Sequence, residues 1–277
     1  MGMNSKIEWT THTFNPWWGC VKVSEACKNC YAEAWAKRVW QPVWGPKAER
    51  RLFGDAHWRQ PVLWDRKAAE QDVRPRVFCA SMADVFEDRP ELVAPRRRLW
   101  DLIDNTPNLD WLLLTKRPDN VSRLAGWSTD WPSNVWLGTT VELQKRADEL
   151  LPHLAKTGAR VKFVSAEPLL GALELQRWLG ESLHWVITGG ESGPKARPAS
   201  PAWFRDLLGQ CMEASVPFHF KQWGDWAPGE GLNLPLARRV RQARASDGTE
   251  MWRVGKRFAG RLLDGAELDG LPQVNAA

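Results

Sequence analysis

At 277 residues and a net charge of +5, the chain has the size of one large α/β domain, and barrels of this length are common. No apolar run approaches the length of a membrane span, which excludes a helical membrane protein and points to the cytoplasm. The modestly basic balance permits contact with nucleic acid without demanding it. Nineteen tryptophans stand against one tyrosine; most belong in a core or a groove wall, and exposed ones would stack on bases.

In chain order, a short strand near 13–18 leads into the run WWGCVKVSEACKNCYAEAWAKR, where six residues separate Cys20 from Cys27 and two separate Cys27 from Cys30. Burial as a small apolar residue suits Cys79, in VFCAS, and Cys211, in FRDLLGQCMEA. A loop of Lys, Ser, Glu and Asn offers the triad no such core. Disulfides do not fit an odd total of five cysteines with no signal peptide ahead of them. Three thiolates without a fourth ligand describe a zinc with one open position or a [4Fe–4S] cluster with one free iron, and the missing ligand favours the cluster. Redox use of the CxxC pair is the third reading.

A helix follows over about 31–40, with Ala34, Trp35 and Val39 available for its buried stripe. Residues 41–75 are rich in Pro, Arg and Trp without clear periodicity, and read as a long excursion with at most short helical turns, the kind of segment used as a lid or binding loop. A regular series comes next. Apolar runs at 77–81, 111–115, 135–141, 161–166, 184–190 and 217–223 alternate with helical patterns near 90–105, 119–125, 143–156, 171–179 and 201–214. Continuous apolar strands alternating with helices indicate a parallel sheet covered on both faces, and about seven βα units favour a parallel barrel or partial barrel. The expected organisation is a barrel over 1–227 carrying the 41–75 insertion, and a C-terminal extension over 228–277 packed on it, with QVNAA at the end disordered.

Polar residues follow each strand: Ser81 and Asp84; Lys116 and Arg117; Thr140 and Glu142; Glu167; Glu191; then Lys221, Gln222 and Trp223. In a parallel barrel these ends share one rim, where ligands gather. Any one of them also reads as a helix cap or loop start. Their recurrence at equivalent positions describes a mixed-charge rim, onto which the cysteine loop opens as well. Gly189-Gly190 lets the backbone approach a bound group closely, and the amides around Glu191-Ser192-Gly193 suit an anion. No Walker or dinucleotide fingerprint is present. The five histidines are scattered, and only His219, on the last strand, is a mild exception to a structural role.

The strings IEWTTHTFNPWWGCVKVSEACKNCYAE, LLLTKRP, VWLGTTVE, FVSAEPLL, WVITGGESG and PFHFKQWG, over about 6–226, with WRVGKRFAGRLLDG at 252–265, resemble a phage- and prophage-associated three-cysteine-motif protein family. Its members look like divergent radical S-adenosylmethionine (SAM) proteins. That resemblance implies a radical SAM barrel, a [4Fe–4S] cluster on Cys20, Cys27 and Cys30, and SAM bound at the free iron. It also places Tyr31, Ser81, Asp84, Lys116, Arg117, Thr140, Glu142, Glu167 and Glu191 around SAM: Asp84 for its amino group, Lys116 or Arg117 for its carboxylate, and Thr140, Glu142 or Glu167 for the ribose. Lys221, Gln222 and Trp223 are left for the substrate. The sequence departs from the superfamily in having six residues rather than three between the first two cysteines, and Asn29 in place of an aromatic before the last.

Basic stretches at 47–51, 96–98 and 236–244, interspersed with tryptophans at 40, 44, 58, 64, 223, 226 and 252, suit a stacking, phosphate-bearing partner; each alone also reads as a solvated face. The leading expectation is a radical SAM-type enzyme acting on a nucleobase, nucleotide or DNA. The alternatives are a non-catalytic nucleic-acid-binding protein stabilised by a metal or cluster, and a subunit active only with a partner protein.

Overall fold

The computed structural model describes residues 5, 7–229, 232 and 240–273. Seven parallel strands form one sheet in chain order: β1 (His12–Thr13), β2 (Arg76–Cys79), β3 (Asp110–Thr115), β4 (Val135–Thr140), β5 (Val161–Ala166), β6 (Trp185–Gly189) and β7 (Phe218–Gln222). β7 does not return to β1, so the sheet is a partial barrel.

The strands are continuous apolar runs because both faces are buried. Phe78, Leu112, Trp136, Phe163, Trp185 and Ile187 pack with Trp9 as an aromatic inner cluster. Their neighbours Val77, Trp111, Leu113, Val135, Leu137, Val164 and Val186 belong to the larger core under the helices. Gly138 in β4 has a steric reason: a Cβ there would stand 2.3 Å from the Phe163 ring. His219 on β7 stacks edge-on against Trp185, and burial holds its pKa below the ordinary histidine value. Its Nδ1 stands 3.5 Å from Asp269 Oδ1.

The covering helices are α1 (Tyr31–Arg38), α2 (Gln60–Gln71), α3 (Val93–Asp104), α4 (Gln144–Ala155) and α5 (Pro201–Glu213). Ala147, Leu150, Leu151 and Leu154 give α4 the expected stripe. α1 turns differently: it buries Ala32 and Ala36, while Ala34 and Val39 are exposed. Two further expectations fail. The excursion at 41–75 contains a three-turn helix, α2, because Pro61, Trp64 and Ala68 recur at helical spacing and are buried; Pro61 sits in the first turn, where proline starts helices rather than breaking them. The helix near 171–179 is only a turn, Gln176–Trp178. The initial strand also divides, since Trp17–Trp18 leaves the sheet to pair antiparallel with Arg51–Leu52.

Past the sheet, β8 (Trp226–Pro228), β9 (Arg241–Arg244) and β10 (Glu250–Arg253) form a three-stranded antiparallel sheet in the order β8-β10-β9. The chain then turns back along β7. Phe220 N–H donates to Leu268 O at 2.8 Å and Gly270 N–H to Phe218 O at 3.0 Å, while the Trp185 indole donates to Gly270 O at 2.8 Å. The outer edge of the sheet is thereby covered. Residues 274–277, most of the tail expected to be disordered, and 236–239 of the last basic stretch lie outside the described residues. Among the described residues no helix is long and apolar enough to cross a membrane.

Candidate active site

A cavity of about 700 Å³ opens where the strands end. Cys20, Cys27 and Cys30 line it from the loop after β1, together with Tyr31. Ser81, Asp84, Lys116, Arg117, Thr140, Glu167, Glu191, Lys221 and Gln222 line it from the ends of the other strands. The rim expected from the sequence is therefore one physical surface, with two exceptions. Glu142 is almost fully buried beside the cavity, not in its wall. Trp223 points into the core against Phe204 and Phe220, its indole donating to Leu262 O at 2.8 Å.

The cysteine loop is clamped from several strands. Gly19 enters it at φ +117, a conformation that favours glycine, and a Cβ there would lie 2.3 Å from Val43 O. Ala26 N–H donates to Glu142 Oε1 at 3.2 Å. Arg117 donates to Val21 O at 2.8 Å and to Cys20 Sγ at 3.7 Å. Asn29 donates to Glu191 Oε2 at 3.1 Å and to Lys195 O at 2.9 Å. Arg197 completes the clamp, holding Glu191 through 2.6 and 2.8 Å bonds and Glu25 O at 3.1 Å. Burial opposes the Glu191 charge, but the bonds from Arg197 outweigh it and hold that pKa below the usual carboxylate range. Glu142 and Glu191, expected beside SAM, are thus committed to the loop.

Asp84 is committed too. Oδ1 accepts from Thr115 Oγ1 at 2.7 Å and Phe86 N–H at 3.0 Å; Oδ2 accepts from Lys116 N–H at 3.0 Å and Arg117 Nη1 at 2.8 Å. Those four bonds fill the capacity of a carboxylate, so Asp84 shapes the site and has no lone pair to offer an ammonium. Asn15 organises the same loop, accepting from Met82 N–H at 2.7 Å and donating to Ser81 Oγ at 3.1 Å. The Tyr31 hydroxyl donates to Ser81 O at 3.0 Å. Lys116 reaches Thr140 Oγ1 at 3.2 Å, and Lys221 pairs with Glu167 at 3.0 Å.

The donor chemistry of the triad fits a thiophilic group: three thiols on one loop face one cavity, with a guanidinium beside the first. Burial, with Asp84 nearby, pushes the Cys20 thiol up to about 12, and burial raises Cys30. Ligation would therefore displace protons. The thiols are not drawn together as they stand, since among the described residues no group of three His, Cys, Asp or Glu is close enough to hold a metal ion.

Gly190 has a packing role as well as a place in the cavity wall. A Cβ on Gly190 would lie 1.9 Å from Trp223 O, because β6 and β7 approach backbone to backbone at their ends. Gly190→Ala should lower the urea-unfolding free energy by about 2–3 kcal/mol or more. Gly209→Ala, in the open middle of α5, should raise it by about 1 kcal/mol. Equal midpoints for the two variants would contradict this packing.

The basic stretches also change meaning. Arg50 is buried against Glu87 at 2.7 Å. Arg96 is buried with its guanidinium on Val85 O and Glu87 O. Arg98 stacks over Trp58. Asn15, Asn29, Arg197 and Lys256 are site residues that sequence reasoning missed; Asn29 lies between two cysteines and Lys256 within the string at 252–265, so position alone was the available signal.

Residues 4–272 match a family model described as a protein of unknown function, DUF5131. No curated protein matches the chain. Solved chains of spore photoproduct lyase are similar: a cysteine-to-serine variant at 14% identity and TM-score 0.47, and a tyrosine-to-phenylalanine variant at 12% and 0.46, each covering 91% of this chain and 71% of its own.

Proposed function

We propose that this chain, which belongs to the DUF5131 family of proteins of unknown function, is a radical SAM-type enzyme that modifies a nucleobase, nucleotide or DNA. The observation that carries this reading is that all three cysteines of one loop line the cavity at the strand ends. Cys20, Cys27 and Cys30 would hold a [4Fe–4S] cluster, which when bound supplies an electron and an open iron for SAM. Lys116, free of any carboxylate partner among the described residues and bonded only to Thr140, is the cation for the SAM carboxylate. Thr140, Ser81 and Glu167 would orient the rest of SAM, and the Tyr31 ring flanks the triad. Arg117 positions Cys20 and the loop backbone, while Asp84 fixes the Arg117 guanidinium and the main chain at Lys116. The resemblance to phage-associated three-cysteine proteins supplies the expectation of a nucleic-acid-derived substrate.

The test is anaerobic reconstitution with iron and sulfide, followed by EPR of the dithionite-reduced protein with and without SAM. The proposal expects about four irons per chain and a cubane signal that shifts on adding SAM. Iron without a shift would leave a cluster and remove the chemistry. One tightly held zinc and no iron would overturn the reading.

A further inference from the structure

Most charges around the cavity neutralise one another. Asp84 pairs with Arg117, Glu167 with Lys221, Glu191 with Arg197 and Lys22 with Glu33. Among the described residues lining it, Lys116 and Lys256 have no carboxylate partner, and Glu8, exposed at the mouth, has no cation. The two free ammonium groups differ in place. Lys116 follows β3 and lines the cavity together with the cysteines. Lys256 comes from the far end of the chain. It is held over the end of β7 by bonds from Gly255 N–H to Asp225 O (3.0 Å), Trp223 N–H to Gly260 O (3.2 Å) and the Trp223 indole to Leu262 O (2.8 Å).

At the end of β7 also sits Gln222, only 8% exposed and lining the cavity. Nε2 donates to Ser192 Oγ at 3.4 Å, and Oε1 is buried without a partner. Turning the amide over would pair Oε1 with the hydroxyl and orphan the nitrogen, so one amide atom is unsatisfied in either orientation. An unmade bond of this kind is one that a complementary ligand group recovers.

We infer that Gln222, Ser192 and Lys256 form the substrate side of the cavity and bind one nucleotide unit, its phosphate at Lys256 and an amide-like base edge at Gln222. This rests on the reading above for giving the cysteine side to SAM. An ammonium is a point-charge partner for phosphate, and a primary amide matches the paired donor and acceptor of a base edge. A cavity of about 700 Å³ shared with SAM would take a single nucleotide unit and not a base pair. The unit enters as a free nucleotide or as one unstacked from a strand.

The test is equilibrium binding to the reconstituted protein of deoxynucleoside 5′-monophosphates, the matching nucleosides and a short single-stranded oligonucleotide, with iron content and the SAM-dependent EPR shift read on the same samples. At least one monophosphate should bind tenfold or more tightly than its nucleoside. Lys256→Gln should erase that preference. Gln222→Leu should weaken nucleotide and nucleoside alike, about tenfold, and keep the preference. Tighter binding of the oligonucleotide than of the monophosphate assigns the unit to a strand, and the reverse assigns it to a free nucleotide. Equal binding of nucleotide and nucleoside, or an unchanged preference in Lys256→Gln with wild-type iron content, would overturn the subsite. Nucleotide binding with these dependences in a protein that takes up no iron would keep the subsite and remove the radical reading.

Discussion

Arg50→Met is expected to lower the unfolding free energy by about 3–5 kcal/mol, one of the two largest effects foreseen for this protein. The Arg50 side chain is 0% exposed and Glu87 4%. The guanidinium makes two bonds to Glu87, at 2.7 and 3.1 Å, and donates to the carbonyls of Val43, Gly45 and Ala48. Methionine would fill the space but leave the buried Glu87 carboxylate and Val43 O without donors, while Gly45 O and Ala48 O keep only their 3.3 Å bonds from Ala48 N–H and Arg89 Nη1. Adding Glu87→Leu should restore only part of the loss, because Val43 O stays unpaired. Urea unfolding of the two variants measures both effects, and a loss below about 1 kcal/mol for the single variant would contradict the buried-pair argument. The pair also matters to the site: Arg50 packs against Gly19 at the entrance of the cysteine loop, so its loss should loosen the loop.

The second large effect concerns the cysteines. Replacing Cys20, Cys27 or Cys30 singly by alanine should reduce iron uptake at least tenfold, since each would supply a third of the protein's ligands. Cys79→Ala and Cys211→Ala should keep wild-type iron and lose about 1 kcal/mol of stability from the small cavities they leave; both are buried in the core away from the triad. Iron per chain after anaerobic reconstitution, beside the unfolding midpoint, separates the two groups. Wild-type iron in any triad variant would remove that cysteine from the ligand set.

The partial barrel was legible because its strands are buried on both faces, which writes each as an unbroken apolar run such as WLLLT or FVSA. That its ends form one rim follows from parallel topology. What the rim residues meet does not. Glu142 and Glu191 start where ligand-binding carboxylates would start, yet they turn to Ala26 and Arg197, partners distant in sequence. Gly190 illustrates the same limit, since permissive backbone looks alike whether a ligand or a neighbouring strand comes close. α2 was hidden because its buried stripe is made of Pro61, Trp64 and Ala68, residue types that pass for loop punctuation or carry little apolar signal. Arg50 and Arg96 counted as surface charge because composition cannot show that carbonyls and a carboxylate surround them.

The covering of β7 has a consequence for biosynthesis. Leu268 and Gly270, which bond to its edge, are added about 45 residues after the strand itself, an interval of several seconds at translation rates of roughly 5–20 residues per second. During that interval the nascent sheet presents an unpaired rim of Phe218–Gln222, the kind of template on which neighbouring chains zip together. The partial barrel therefore leaves the ribosome with its most adhesive side completed last, and slower elongation across the segment after β7 should raise the share of chains lost to aggregation.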